Sequence, residues 1–227
     1  MITYYTSIGR MVVKNENGNK VPMIITDSGE YGMSIDELMI WGSLHWNFLN
    51  KQDLEKEYLR RKEAAHISDD VSFERTLERL KQRNLVKEGT DYIAADALYN
   101  LLSKLTIRPV IISTADKLKS CIYMCLCKNV PVVQCIKKYF GQNISSEEKR
   151  ILNLAKSVAV TTSEIIRCTE NNIKKLKNEE DVIDKIYAFN DDTSETIMTD
   201  TRFSTVKSDV LKTVANLYLK KRIIFEN

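Results

Sequence analysis

The chain has 227 residues, 43% of them hydrophobic, which is apolar material enough for one large core or two small ones. Seven glycines and three prolines are too few for an all-β architecture of many tight turns, and no apolar run approaches the ~20 residues of a membrane span. Lys plus Arg number 34 against 31 Asp plus Glu, for a net charge of +3, which permits a polyanionic partner without demanding one.

The first 25 residues alternate β-prone runs around Asn15-Glu16-Asn17-Gly18-Asn19, and an Asn-Gly pair between such runs is a strong hairpin signal. Residues 11–14 and 21–25 are expected to pair, with Pro22 placing its strand on an edge because it has no amide to donate. Residues 27–32 read as a loop. Ser34 with Glu37 forms a capping box that opens a helix to about residue 48. Asn50 caps a second helix over about 52–65, with Leu54, Tyr58 and Leu59 on one face. Ser72 caps a third, in which Phe73, Leu77 and Leu80 recur at helical spacing while Arg75, Arg79 and Gln82 fall opposite. Residues 85–94 then read as a small hairpin turning at Gly89, and 95–105 as a helix ended before Pro109. Helices are expected over 115–128, 132–140, 145–158, 162–177, 181–189 and 204–221, with capping boxes at Ser145/Glu148 and Thr161/Glu164. Residues 222–226 are apolar enough for a last short strand.

Helix, helix, turn, helix and hairpin over about Ser34 to Leu105 resembles the winged helix-turn-helix DNA-binding domain of bacterial transcriptional regulators. The run Ser72-Phe73-Glu74-Arg75-Thr76-Leu77-Glu78-Arg79-Leu80-Lys81-Gln82-Arg83-Asn84-Leu85-Val86 resembles its recognition helix entering the first wing strand. The resemblance implies that the helix Ser72 to Arg83 lies in the major groove of double-stranded DNA, with Thr76 on the same helix and the wing against the backbone. Arginine suits bidentate contact with guanine, so Arg75, Arg79 and Gln82 are the base-edge candidates. Lys81, Arg83 and Lys87, with Arg60, Arg61 and Lys62 on the preceding helix, are the phosphate candidates, and Ser72 offers a hydroxyl and an amide at a helix start. Glu74, Glu78, Glu88 and Asp91 make the surface mixed, so a solvated helix that meets a protein instead of DNA is the competing reading.

Five cysteines, an odd number, fit reduced thiols better than a disulfide framework. Cys121, Cys125, Cys127 and Cys135 lie close in sequence, but Cys121 and Cys125 share a helix face that Cys127 does not. Packing as small apolar side chains is therefore the reading over metal binding or redox sensing. Cys168 is expected in a core. His45 and His66 are read as packed or solvated residues rather than as ligands or bases. No phosphate loop, nucleophile elbow or metalloprotease motif is present, so neither an enzyme nor a cofactor is expected, and Met1-Ile2-Thr3-Tyr4-Tyr5 lacks signal-peptide character, which points to the cytoplasm.

The expected molecule is mainly α, of the α+β class. A β-hairpin and winged helix-turn-helix occupy residues 1–112, and an all-helical dimerisation or effector domain occupies 113–227. Its expected role is a sequence-specific transcriptional regulator that binds duplex DNA as a homodimer, one half-site per protomer; no small-molecule effector can be named. Residues 210–225 end as 72–86 do, with a basic helix end running into an apolar strand, so a degenerate second winged helix is the alternative. That form is similar to tandem winged-helix replication or plasmid-maintenance proteins.

Overall fold

The computed structural model describes residues 1–16, 18–67, 71–110, 144–187 and 193–227, together with 118, 122–125, 131 and 134. Strand β1 (Ile2–Ser7) is followed by a three-stranded meander of β2 (Arg10–Glu16), β3 (Asn19–Thr26) and β4 (Gly29–Gly32). The Asn-Gly signal is placed as expected, with Gly18 at φ 84° between the paired residues Glu16 and Asn19. Residues 29–32, read as loop, instead extend the sheet, so β3 is its middle strand and not an edge. Pro22 is tolerated there because pairing with β4 begins only at Met23 opposite Gly32, which leaves that side of the strand open at Pro22.

Helix α1 (Ile35–Leu44) starts at the Ser34/Glu37 capping box and ends four residues earlier than its apolar pattern suggests, where Trp46 adopts φ 62°. The two-residue strand β5 (Leu49–Asn50) leads directly into α2 (Lys51–Ala64), and Asn50 Oδ1 accepts the Asp53 amide at 2.8 Å. After α3 (Phe73–Gln82), capped by Ser72, the chain enters β6 (Val86–Asp91). The hairpin expected at 85–94 does not form. Strand β6 runs the length of β1, from Ser7 opposite Val86 to Ile2 opposite Asp91. The sheet order is β5-β1-β6, so the N-terminal strand stands where a second hairpin strand would lie. Gly89 is not a turn residue: a Cβ there would sit 2.3 Å from the Leu101 amide nitrogen and 2.4 Å from the Ala97 carbonyl oxygen. Glycine lets α4 (Ala94–Leu102) cross the strand at backbone contact.

The second half is not all-helical. Strand β7 (Thr106–Pro109) is the middle of a sheet ordered β8-β7-β9, with β8 (Val160–Thr161) and β9 (Ile223–Glu226) antiparallel to it. Pro109 closes a strand rather than a helix, and the expected last strand forms as β9. The helices here are α5 (Ser146–Ser157), α6 (Thr162–Glu170), α7 (Glu179–Ile186), α8 (Ser194–Thr201) and α9 (Lys207–Leu219). The sequence pattern missed α8 and ran α6 too long. The helices expected over 115–128 and 132–140 lie outside the described residues, apart from single positions.

The two sheets follow one plan. Tyr4 faces Asn50 on one side and Gly89 on the other, and Thr106 faces Thr161 and Glu226. One residue on, Tyr5 faces Leu49 and Glu88, and Ile107 faces Val160 and Phe225. Asn50 and Thr161 each cap the helix that follows, and α1 and α5 both open on a Ser/Glu capping box. Helices α2 and α6 end in the same turn, with His66 and Asn172 both at φ 54°. There the amides of Ile67 and Ile173 donate back to Lys62 and Cys168 at 3.1 and 2.8 Å. Helices α3 and α9 pass into β6 and β9 through Asn84 (φ 56°) and Lys221 (φ 60°). The amides of Leu85 and Arg222 close those turns on Leu80 and Leu217, both at 2.9 Å. Among the described residues one structural unit therefore occurs twice, with the β2–β4 meander between β1 and α1 of the first copy and α7 and α8 between α6 and α9 of the second.

Ile40, Trp41, Leu44, Leu54, Tyr58, Phe73, Leu77 and Leu80 form the core beneath α1 to α3. A second core gathers around β7, β8 and β9 and takes in Ile8 and Tyr99 from the first unit. The Gly9 amide donates to the Phe225 carbonyl at 2.9 Å, and buried Tyr218 of α9 accepts from Thr6 at 3.0 Å and donates to the Leu44 carbonyl at 3.2 Å. These bonds join the two units.

Candidate nucleic-acid interface

The face of α3 follows from its sequence period. Phe73, Thr76, Leu77 and Leu80 are buried, which turns Arg75, Glu78, Arg79 and Gln82 outward to line one shallow surface depression. Among the described residues the side chains of Arg75 and Gln82 make no ion pair or hydrogen bond. Arg79 is half exposed, with Nε 3.6 Å from Glu37 Oε1. Ser72 is exposed and its Oγ accepts the Arg75 amide at 3.5 Å, so its hydroxyl is shared with the helix start.

Other candidates are engaged by partners within the molecule. Thr76 is fully buried and donates to the Ser72 carbonyl at 3.0 Å, so it cannot face a groove. Arg83 donates to Glu37 Oε1 at 2.9 Å and to the Gly32 carbonyl at 2.7 Å, and lies over the Tyr31 ring. It locks the meander and α3 onto the start of α1. Lys62 is 12% exposed and sits 3.8 Å from Asp36, the carboxylate that accepts the Tyr58 hydroxyl at 2.5 Å. Arg60 and Arg61 converge on Glu57 at 2.7 and 2.9 Å, and their hydrogen bonds pull its carboxyl down to about 2. Of three cations in a row, two thus share one carboxylate and the third sits beside a buried one. Lys87 donates to Asn84 at 2.8 Å; burial first, then the Lys104 ammonium, hold its own ammonium below the usual lysine range. Lys81 bridges Glu78 and Glu88 at 2.8 and 3.0 Å.

Burial pulls His45 down to about 4, with Lys221 adding to the effect, and its ring stacks on Trp41 with Nδ1 3.3 Å from Ser7 Oγ. His66 is the turn residue that ends α2. Burial pushes the Cys168 thiol up to about 12, as an inert core residue requires. Cys125 is half-buried, and Cys121, Cys127 and Cys135 lie outside the described residues. Among the described residues no group of three or more His, Cys, Asp or Glu side chains is placed to hold a metal, and no helix is long and apolar enough to cross a membrane.

Sequence reasoning passed over Lys212 and Asn216 on α9, both exposed. The signal was present in the matching helix-to-strand endings at 72–86 and 210–225, but only the shared register identifies which residues correspond. No protein-family model matches the chain, and neither a curated protein nor a solved structure does.

Proposed function

We propose that the chain is a double-stranded DNA-binding protein of the winged helix-turn-helix kind, with α3 entering the major groove. Three features support this reading: the order α1-β5-α2-α3-β6, the antiparallel sheet behind it, and a central strand, β1, that completes the wing from the other end of the unit. The observation that carries it is the α3 surface itself, where Arg75, Arg79 and Gln82 stand side by side on a helix fixed at its start by Ser72 and at its end by Arg83 on Glu37. Guanidinium and amide groups so spaced suit base edges, and a helix pinned at both ends loses little entropy on binding.

Transcriptional regulation is the role this reading favours. The second copy of the unit favours a tandem form over the homodimer, because one chain then carries two units of the same plan; replication or plasmid maintenance is the corresponding second role. Fluorescence anisotropy of a labelled mixed-sequence duplex at several salt concentrations tests the DNA reading. Wild type is expected to lose log affinity linearly with log salt, and the double change Arg75→Ala, Arg79→Ala to weaken binding by about tenfold or more while the fold persists. A wild type that does not bind at physiological salt would return the chain to the protein-interaction reading.

A further inference from the structure

We infer that α9 is a second duplex-DNA surface, with Lys212 and Asn216 as its reading side chains; the inference rests on the DNA reading of α3. The argument is positional. Lys221 and Asn84 are the left-handed residues of matching turns, and Ile223 and Val86 open matching strands. Counted back from these, Leu217, Val214 and Val210 fall where Leu80, Leu77 and Phe73 stand, and all six are buried. The outward stations then correspond as well: Lys212 takes the place of Arg75, Asn216 that of Arg79, and Leu219 that of Gln82, all three exposed.

The support of the helix is repeated too. Arg83, the C-cap residue of α3, pairs with the capping-box Glu37 of α1, and Lys220, the C-cap residue of α9, pairs with the capping-box Glu148 of α5 at 2.6 Å. The inner face of α9 is fixed by Tyr218 between the units. Its outer face is left with chemistry that suits base edges: an ammonium for guanine or phosphate, an amide for adenine, and an apolar side chain for the thymine methyl. Among the described residues Lys212 and Asn216 make no side-chain ion pair or hydrogen bond. Asp209 stands where Ser72 does, and its charge opposes a phosphate at that helix start, so the contact is assigned to the middle of α9.

The test uses the full chain and a labelled mixed-sequence duplex of about four helical turns, roughly 40 base pairs. It compares wild type, the Lys212→Ala/Asn216→Ala variant and the Arg75→Ala/Arg79→Ala variant by anisotropy across salt. A thermal melt of each protein certifies the fold. The expected result is that each double variant weakens binding by about tenfold or more and flattens the salt slope, and that Lys212→Glu weakens it further. If wild type binds and loses affinity on change of Arg75 and Arg79 but not of Lys212 and Asn216, α9 is no DNA surface and the reading of α3 stands. If wild type does not bind, both readings fall together.

Discussion

Arg83 Nη1 lies 2.9 Å from Oε1 of the buried Glu37, and this contact closes a ring from the first turn of α1 to the last turn of α3. Glu37 also accepts the Ser34 amide at 2.9 Å, so one carboxylate serves a helix cap and an ion pair at once. Arg83→Ala leaves that buried carboxylate with the Ser34 amide and only the longer Arg79 contact as a countercharge, at an expected cost of about 1–3 kcal/mol in urea unfolding. The variant is expected to keep the wild-type salt slope for DNA, whereas Arg75→Ala reduces the slope and leaves stability within about 0.5 kcal/mol. The opposite pairing of effects would place Arg83, not Arg75, at the interface.

Glu148 is held the same way. Burial acts to raise its carboxyl, but the Lys220 ammonium and the Ser145 amide outweigh that and keep it below the usual carboxylate range. A depressed folded value means stability that is present above the unfolded pKa and is lost as pH falls through the folded value. Glu148→Gln is therefore expected to remove part of the acid-side loss of stability, read as a shallower fall in melting temperature below about pH 4.5.

Glu226 has the reverse sign. Burial, with the nearby Asp27 charge, pushes its carboxyl up to about 7, so the folded protein holds a proton that the unfolded chain releases at lower pH. Its contribution is full below the unfolded value and is lost as pH rises from about 4.5 to 7. Glu226→Gln is expected to gain about 1–2 kcal/mol over wild type above pH 7, after allowance for solvent screening, and to lose that advantage at pH 4.5. A stability difference that does not change across this range would show that Glu226 binds protons in the fold as it does in the unfolded chain.

Gly89→Ala is expected to destabilise by about 2 kcal/mol or more, because the new methyl meets the Leu101 nitrogen and the Ala97 oxygen, both backbone atoms of α4. His66→Gly is expected to gain about 0.5–1 kcal/mol, since its left-handed φ of 54° costs an exposed non-glycine residue more than a glycine. Thermal or urea melts of the two variants check both values.

The starts of several helices in both units were legible because their signals are local. Ser34, Asn50, Ser72, Ser145 and Thr161 all cap where the sequence placed them. The sheets were not, because the partners of a strand lie far along the chain: nothing near Tyr4 announces Asn50 or Gly89. Gly89 misled for a related reason, since a glycine that admits a crossing helix looks in sequence like one that makes a turn. Of the candidate interface, the outward stations of α3 followed from helical period alone. Arg83 and Lys62 did not, because Glu37 and Asp36, which claim them, are remote in sequence. The repeat showed in sequence only as the matching endings at 72–86 and 210–225, because it is one of register: Lys212 and Asn216 share no side-chain identity with Arg75 and Arg79.

The placing of β1 and β7 at the centre of their sheets also bears on how the chain acquires its structure. Each central strand is made before the helices that follow it, yet its long partner arrives only after them, as Ile2 opposite Asp91 and Thr106 opposite Glu226 show. Helical turns form fast and locally, whereas closing so long a loop is slow. During synthesis each central strand therefore waits with an unpaired edge, and in that interval neighbouring nascent chains can pair with it and aggregate.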